Sequence, residues 1–136
     1  LESLAALFSG DGAVGSVRVL SPESVAELRT EVWRWDPEKE NIEDYDGTLN
    51  AWVTSLRAIT SETPGDRLFE GVDRVWYGHF GEAYGLLAGV WADPETGDAL
   101  IFALTGSAVN PHAEEGPTST LVPIEGRILA QLSRLL

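Results

Sequence analysis

One short stretch of this 136-residue chain has the residue types and spacing for chemistry: Gly78-His79-Phe80-Gly81, which sets one of only two histidines between glycines. Glycines let a second backbone lie close to a strand, and they leave main-chain N–H groups open to a carbonyl oxygen. An imidazole beside that place can carry a proton or bind an anionic group near neutral pH. A purely structural account also fits, with His79 an inert, hydrogen-bonded strand residue and Gly81 the mark of a bulge. Other chemistries lack their residues. The chain has no cysteine, which removes disulfides, thiolate nucleophiles and Cys-based metal sites. His79 and His112 are too far apart for a His-x-x-x-His pair, so the sequence implies no metal, and it implies no cofactor either. The glycines from Gly78 to Gly85 do not make a dinucleotide fingerprint, because no helix N-terminus follows them to receive a phosphate. Gly-x-Ser-x-Gly and Ser-x-x-Lys are both absent.

Runs that read as strands surround the histidine. The opening strand starts near Arg74 and carries His79. Gly85 to Trp91 is apolar on both faces and reads as a buried second strand. Asp93-Pro94-Glu95-Thr96-Gly97-Asp98 is a tight turn, and Ala99 to Thr105 is the return strand. Upstream, Leu4, Leu7 and Phe8 share one helical face, which Gly10 and Gly12 end. Val17 to Leu20 is extended. Ser21-Pro22-Glu23 then opens a second helix with a good N-cap, a proline at the first position and an early carboxylate. Leu49 to Ile59 reads as a single strand from its β-branched and aromatic content, with helix as a competitor. Thr63-Pro64-Gly65-Asp66 is a turn. Thr118 or Ser119 caps a final helix whose apolar face holds Leu121, Ile124, Ile128, Leu129, Leu132 and Leu136. The expected architecture is α+β: an antiparallel sheet of three to four strands with the C-terminal helix packed on one face. Residues 1–136 form one unit, with an acidic loop at 33–47, a core hairpin at 74–106 and the helix at 118–136.

Charge narrows the partners. Twenty-two acidic against nine basic side chains give a net charge of −13, which repels nucleic acid and anionic lipid. No apolar run approaches the roughly 20 residues needed to span a bilayer. Between 36 and 46 six carboxylates face a single Lys39. Their spacing does not match the calcium-binding loop, so a solvated acidic loop is the simpler reading. The chain opens in mid-helix with Leu1 and has no Met, which suggests a piece of a longer polypeptide or a processed N-terminus.

From Gly78 through Leu86, Trp91-Ala92-Asp93-Pro94 and the return strand, the chain resembles the C-terminal part of the serine β-lactamase-like hydrolases. That superfamily includes class C β-lactamases, D,D-carboxypeptidases and related esterases. Leu20 to Val25 and Gly65 to Phe69 are similar to its lead-in segments, and the final helix fits as well. The resemblance implies acyl transfer through an acyl-enzyme on amide, ester or β-lactam bonds. It makes His79-Phe80-Gly81 the strand wall of the cleft, with His79 in place of a strand lysine near the leaving group or a substrate carboxylate. It gives the Glu82 backbone N–H the role of an oxyanion donor, and it makes Phe80, Gly81 and Tyr84 substrate-binding residues. Phe80 stands where a hydroxyl residue is usual, and Tyr45-Asp46-Gly47 is not the family's Tyr-x-Asn element. The partners implied are a small-molecule or peptide substrate and an N-terminal segment or companion chain bearing the Ser-x-x-Lys nucleophile. That missing segment would cover an open edge on the return strand and an open face on the final helix. The resemblance leaves a periplasmic or extracellular setting open. A reading of another class is a self-contained acidic α+β module that binds a basic protein partner through its acidic loop.

Overall fold

The computed structural model describes residues 2–36, 38–39, 49–107, 118–120 and 122–136. Helix α1 (Glu2–Ser9) leads through a two-stranded ribbon, β1 (Ala13–Val14) and β2 (Val17–Arg18), into helix α2 (Pro22–Leu28). Ser21 caps α2 by accepting from the Ser24 N–H, and Pro22 stands in its first turn. Strands β3 (Glu31–Arg34), β4 (Ala51–Val53), β5 (Arg57–Ile59), β6 (Trp76–Ala83), β7 (Leu86–Ala92) and β8 (Ala99–Leu104) then pair antiparallel, side by side in chain order. Helix α3 (Pro123–Leu132) and a 3-10 turn (Ser133–Leu135) close the chain.

The architecture is α+β with an antiparallel sheet, but the sheet has six strands rather than three to four. Two local events account for the excess. Leu49 to Ile59 is not one strand: it folds back at Thr54-Ser55, where the Val53 N–H donates to the Leu56 carbonyl at 2.9 Å. That turn has no Gly, Pro or Asn to announce it. Thr30 O holds it by accepting from the Thr54 N–H at 3.0 Å and from the Thr54 hydroxyl at 3.3 Å. The other event is β3, which takes Trp33 and Arg34 out of the expected acidic loop and pairs them with Trp52 and Ala51. Of that loop, Asp36 and Lys39 form an ion pair at 2.7 Å, while residues 40–48 lie outside the described residues.

The final helix also starts later than expected. Ser119 is buried and does not cap it: its N–H donates to the Arg67 carbonyl at 2.6 Å and its hydroxyl to the Gly65 carbonyl at 2.9 Å. Val122 is the N-cap instead, held extended by the following Pro123. The Glu125 carboxylate reaches back to accept from the Val122 N–H at 3.1 Å.

The core lies between the sheet and α3. Trp76, Phe80, Trp91 and Leu100 of the strands meet Leu129 of α3, with Leu68 and Phe69 beside them. The β6–β7 register sets Gly78 opposite Trp91 and Phe80 opposite Gly89, and β8 brings Phe102 opposite Gly89. Both glycines are covered by rings. A Cβ on Gly78 would stand 2.0 Å from the Val90 carbonyl oxygen and 2.8 Å from the Trp91 indole. One on Gly89 would stand 2.4 Å from the Phe102 ring. Glycine here makes room for aromatic packing across the strands, and the Phe80 and Trp91 rings meet edge to face at 4.9 Å.

A buried carboxylate ties the loops at the far ends of β4 and β5. Asp66 accepts from the Thr60 N–H at 2.8 Å, the Thr60 hydroxyl at 2.6 Å and the Asn50 N–H at 3.3 Å. Burial still pushes its carboxyl above the ordinary 3.8, with the Thr60 and Asn50 bonds pulling the other way. A raised carboxyl pKa stabilises the fold below the unfolded value and loses that contribution as pH climbs through the folded value. In Asp66→Asn the new amide must set a donor against one of the two backbone N–H groups, at a cost of about 1–3 kcal/mol. The stability lead of wild type over Asp66→Asn, from urea titrations, should be largest below about pH 4 and shrink as pH rises. A parallel comparison separates the two kinds of glycine. Gly78→Ala should cost about 3 kcal/mol, whereas Gly81→Ala, with nothing within 4 Å of its Cβ position, should stay within about 1 kcal/mol of wild type.

Candidate functional site

Side chains alternate along β6, so Tyr77, His79 and Gly81 share the face opposite Trp76, Gly78 and Phe80. On that face α1 packs against β7 and β8. Between helix and sheet lies a cavity of about 300 Å³. Leu4 and Phe8 of α1 form one wall, Ala88, Val90 and Ala92 of β7 the floor, and Tyr77, His79, Gly81 and Leu56 the other side. Leu4 and Phe8 are one helical turn apart, which puts them on one stripe of α1. Arg29, at the end of α2, holds this wall: its Nη2 donates to the carbonyl oxygens of Phe8 and, at 2.7 Å, Gly10. Those carbonyls have no partner within the helix, and a cation is the favoured group at that end. Burial draws the Arg29 guanidinium below its usual pKa, and neighbouring Tyr77 opposes the shift.

Strand β5 ends the pairing of β6 early. Trp76, Tyr77 and Gly78 pair with Ile59, Ala58 and Arg57, but residues 79–83 pair only with β7. Among the described residues this half of β6 has no strand on its β5 side. The register there runs unbroken from Tyr77–Ala92 to Ala83–Leu86, so Gly81 marks no bulge. Gly81 is exposed, and the space at its Cβ position is open.

His79 is exposed at the groove, and its ring lies 6.0 Å from that of Trp52. The Arg57 guanidinium stands over the Trp52 ring at 4.0 Å, so Trp52 neighbours both side chains. His79 Nδ1 is bonded to the Phe80 carbonyl, an acceptor, which fixes the N–H on Nδ1 and leaves Nε2 to take a proton. Glu82 follows Gly81, exposed, on the half of β6 without a β5 partner.

Two expected substrate contacts are placed elsewhere. The Phe80 side chain is buried in the aromatic core, against Trp91 and Phe102, because it alternates to the other face. Phe80 still borders the groove, and what it can offer there is main chain. Tyr84 does not line the groove. It stands fully exposed in the two-residue turn with Gly85, both with positive φ, at 51° and 83°. Strand β7 accordingly begins at Leu86, not Gly85. That pair of angles suits a tight hairpin, and tyrosine in place of the usual Asn or Asp hid the turn from the sequence. His112 and Tyr45-Asp46-Gly47 lie outside the described residues.

The sequence reading missed α1 as a groove wall, along with Leu56, Trp52 and Arg29. Only the one-turn spacing of Leu4 and Phe8 pointed toward a shared face. Among the described residues no group of three or more His, Asp or Glu could hold a metal ion, and no helix is long and apolar enough to cross a membrane. No protein-family model, curated protein or solved structure matches the chain. If Arg29 secures the wall, Arg29→Met should raise amide hydrogen exchange across residues 2–9 by about tenfold or more. Exchange in β6 and β7 should stay unchanged in the same measurement.

Proposed function

We propose that the chain is the C-terminal portion of a serine hydrolase of β-lactamase-like type, contributing the His79-Phe80-Gly81 strand wall to the cleft. The observation that carries this reading is the half of β6 from 79 to 83, which among the described residues has no strand on its β5 side and borders a groove. A carbonyl substrate can lie along such an edge, where Gly81 leaves it room. In this reading a serine hydroxyl on polypeptide outside these residues attacks the carbonyl carbon. The carbonyl oxygen takes up negative charge, and the Glu82 N–H and the serine's own N–H stabilise it. The leaving alcohol or amine departs with a proton, and water then hydrolyses the acyl-serine to release the acid. In this reading His79, whose Nδ1 is bonded to the Phe80 carbonyl, passes a proton through Nε2 on the leaving-group side.

Treating the intact gene product with a fluorophosphonate or a β-lactam tests the assignment. The expected outcome is one acyl or phosphonyl adduct on a serine outside residues 1–136. Absence of any adduct on active, folded protein overturns the hydrolase reading, and an adduct on a serine of this chain overturns the division of labour. His79→Ala should lower kcat on an ester substrate by about 100-fold or more. Its thermal midpoint should match wild type, since the side chain is exposed.

A further inference from the structure

We infer that the groove under α1 binds the linear apolar chain of an uncharged acyl compound and selects against ligands that carry a carboxylate. For calling that compound a substrate, the inference rests on the hydrolase reading; for binding, it stands on the groove alone. The wall and floor are aliphatic or aromatic, from Leu4, Phe8, Leu56, Ala88, Val90 and Ala92. Among the described residues no lysine, arginine, aspartate or glutamate lines the groove, and the polar side chains there are those of Tyr77 and His79. An anion entering it would leave water for an apolar wall without a permanent cation to meet it. It would also approach a chain with a net charge of −13. Of the arginines near the groove, Arg29 spends its Nη2 on the carbonyls that end α1, and Arg57 stands over the Trp52 ring. A neutral alkyl chain meets none of these obstacles.

Size sets a second condition. A cavity of about 300 Å³ holds roughly ten water-sized groups, which matches an acyl amide of about six to eight carbons once its oxygen and nitrogen are counted. Each buried methylene should tighten binding about three- to fourfold until the groove is filled. On the β6 side of the groove the exposed lining residues are His79 and Gly81, on the half of β6 that has no β5-side strand among the described residues. A chain buried under α1 therefore leaves its carbonyl at the histidine.

The test uses the purified protein with N-methyl amides of linear acids from butanamide to dodecanamide, and the matching carboxylates, titrated by calorimetry near pH 7.5. Affinity should rise with amide length and level off near eight carbons, with each carboxylate at least tenfold weaker than its amide. Two substitutions locate the site. Ala88→Trp fills the floor, and Leu4→Asp, at a position 44% exposed and so tolerant of change, puts a charge on the wall. Each should weaken the best amide at least tenfold. Carboxylates binding as tightly as amides, no dependence on chain length, no binding by wild type, or unchanged binding in folded Leu4→Asp would each overturn the inference. Binding requires no nucleophile. Amide binding with no covalent adduct on the intact gene product would therefore reject the hydrolase reading and leave the groove assignment standing. An adduct without amide binding would do the reverse.

Discussion

The Trp91 indole occupies the space where a side chain at position 78 would stand. This contact packs β6 against β7, the two longest strands described, within the aromatic layer that meets Leu129 of α3. Removing a buried tryptophan from a core costs on the order of 3–5 kcal/mol, a large share of the stability of a domain this size. With Trp76, Phe80 and Trp91 committed to one face, alternation commits Tyr77, His79 and Gly81 to the other. The position of the candidate site is thus a consequence of where the core lies.

The same contact explains the two different uses of glycine in one tetrapeptide. Gly78 is required by the Val90 carbonyl and the Trp91 indole, whereas Gly81 faces open space on the groove side. Between them His79 is bonded to the next carbonyl, and its ring lies beside that of Trp52, over which Arg57 stands. Away from the groove, Asp66 and the Asp93 turn fix the loops. Asp93 is buried and accepts from the Glu95 N–H at 2.8 Å and from the Thr96 hydroxyl at 3.0 Å. These carboxylates organise backbone, and neither lines the groove.

Much of the fold is legible in the sequence where local chemistry is strong. Ser21-Pro22 marks the start of α2, Gly10 follows the end of α1, and the Asp93–Asp98 turn joins β7 to β8. What escapes is structure decided by tertiary partners. Thr54-Ser55 turns because Thr30 supplies an acceptor from 24 residues away. Ser119 looks like a cap but is taken by carbonyls of the 65–67 segment, which moves the helix start to Pro123. Of the site, the spacing of His79 and Gly81 is visible in the chain, and the side to which Phe80 turns follows from strand alternation alone. The helix that closes the groove is not visible, because no local pattern says which sheet face will receive Leu4 and Phe8.

That helix has only eight residues, and Ala5 is its one buried side chain. A segment so short is marginal by itself in water. It stays in place through a few apolar contacts and one guanidinium bonded to its last carbonyls. Local opening of such an element requires far less free energy than melting the sheet beneath it. Fraying of α1 thus loosens the Leu4 and Phe8 side of the groove while the paired strands that floor it keep their hydrogen bonds.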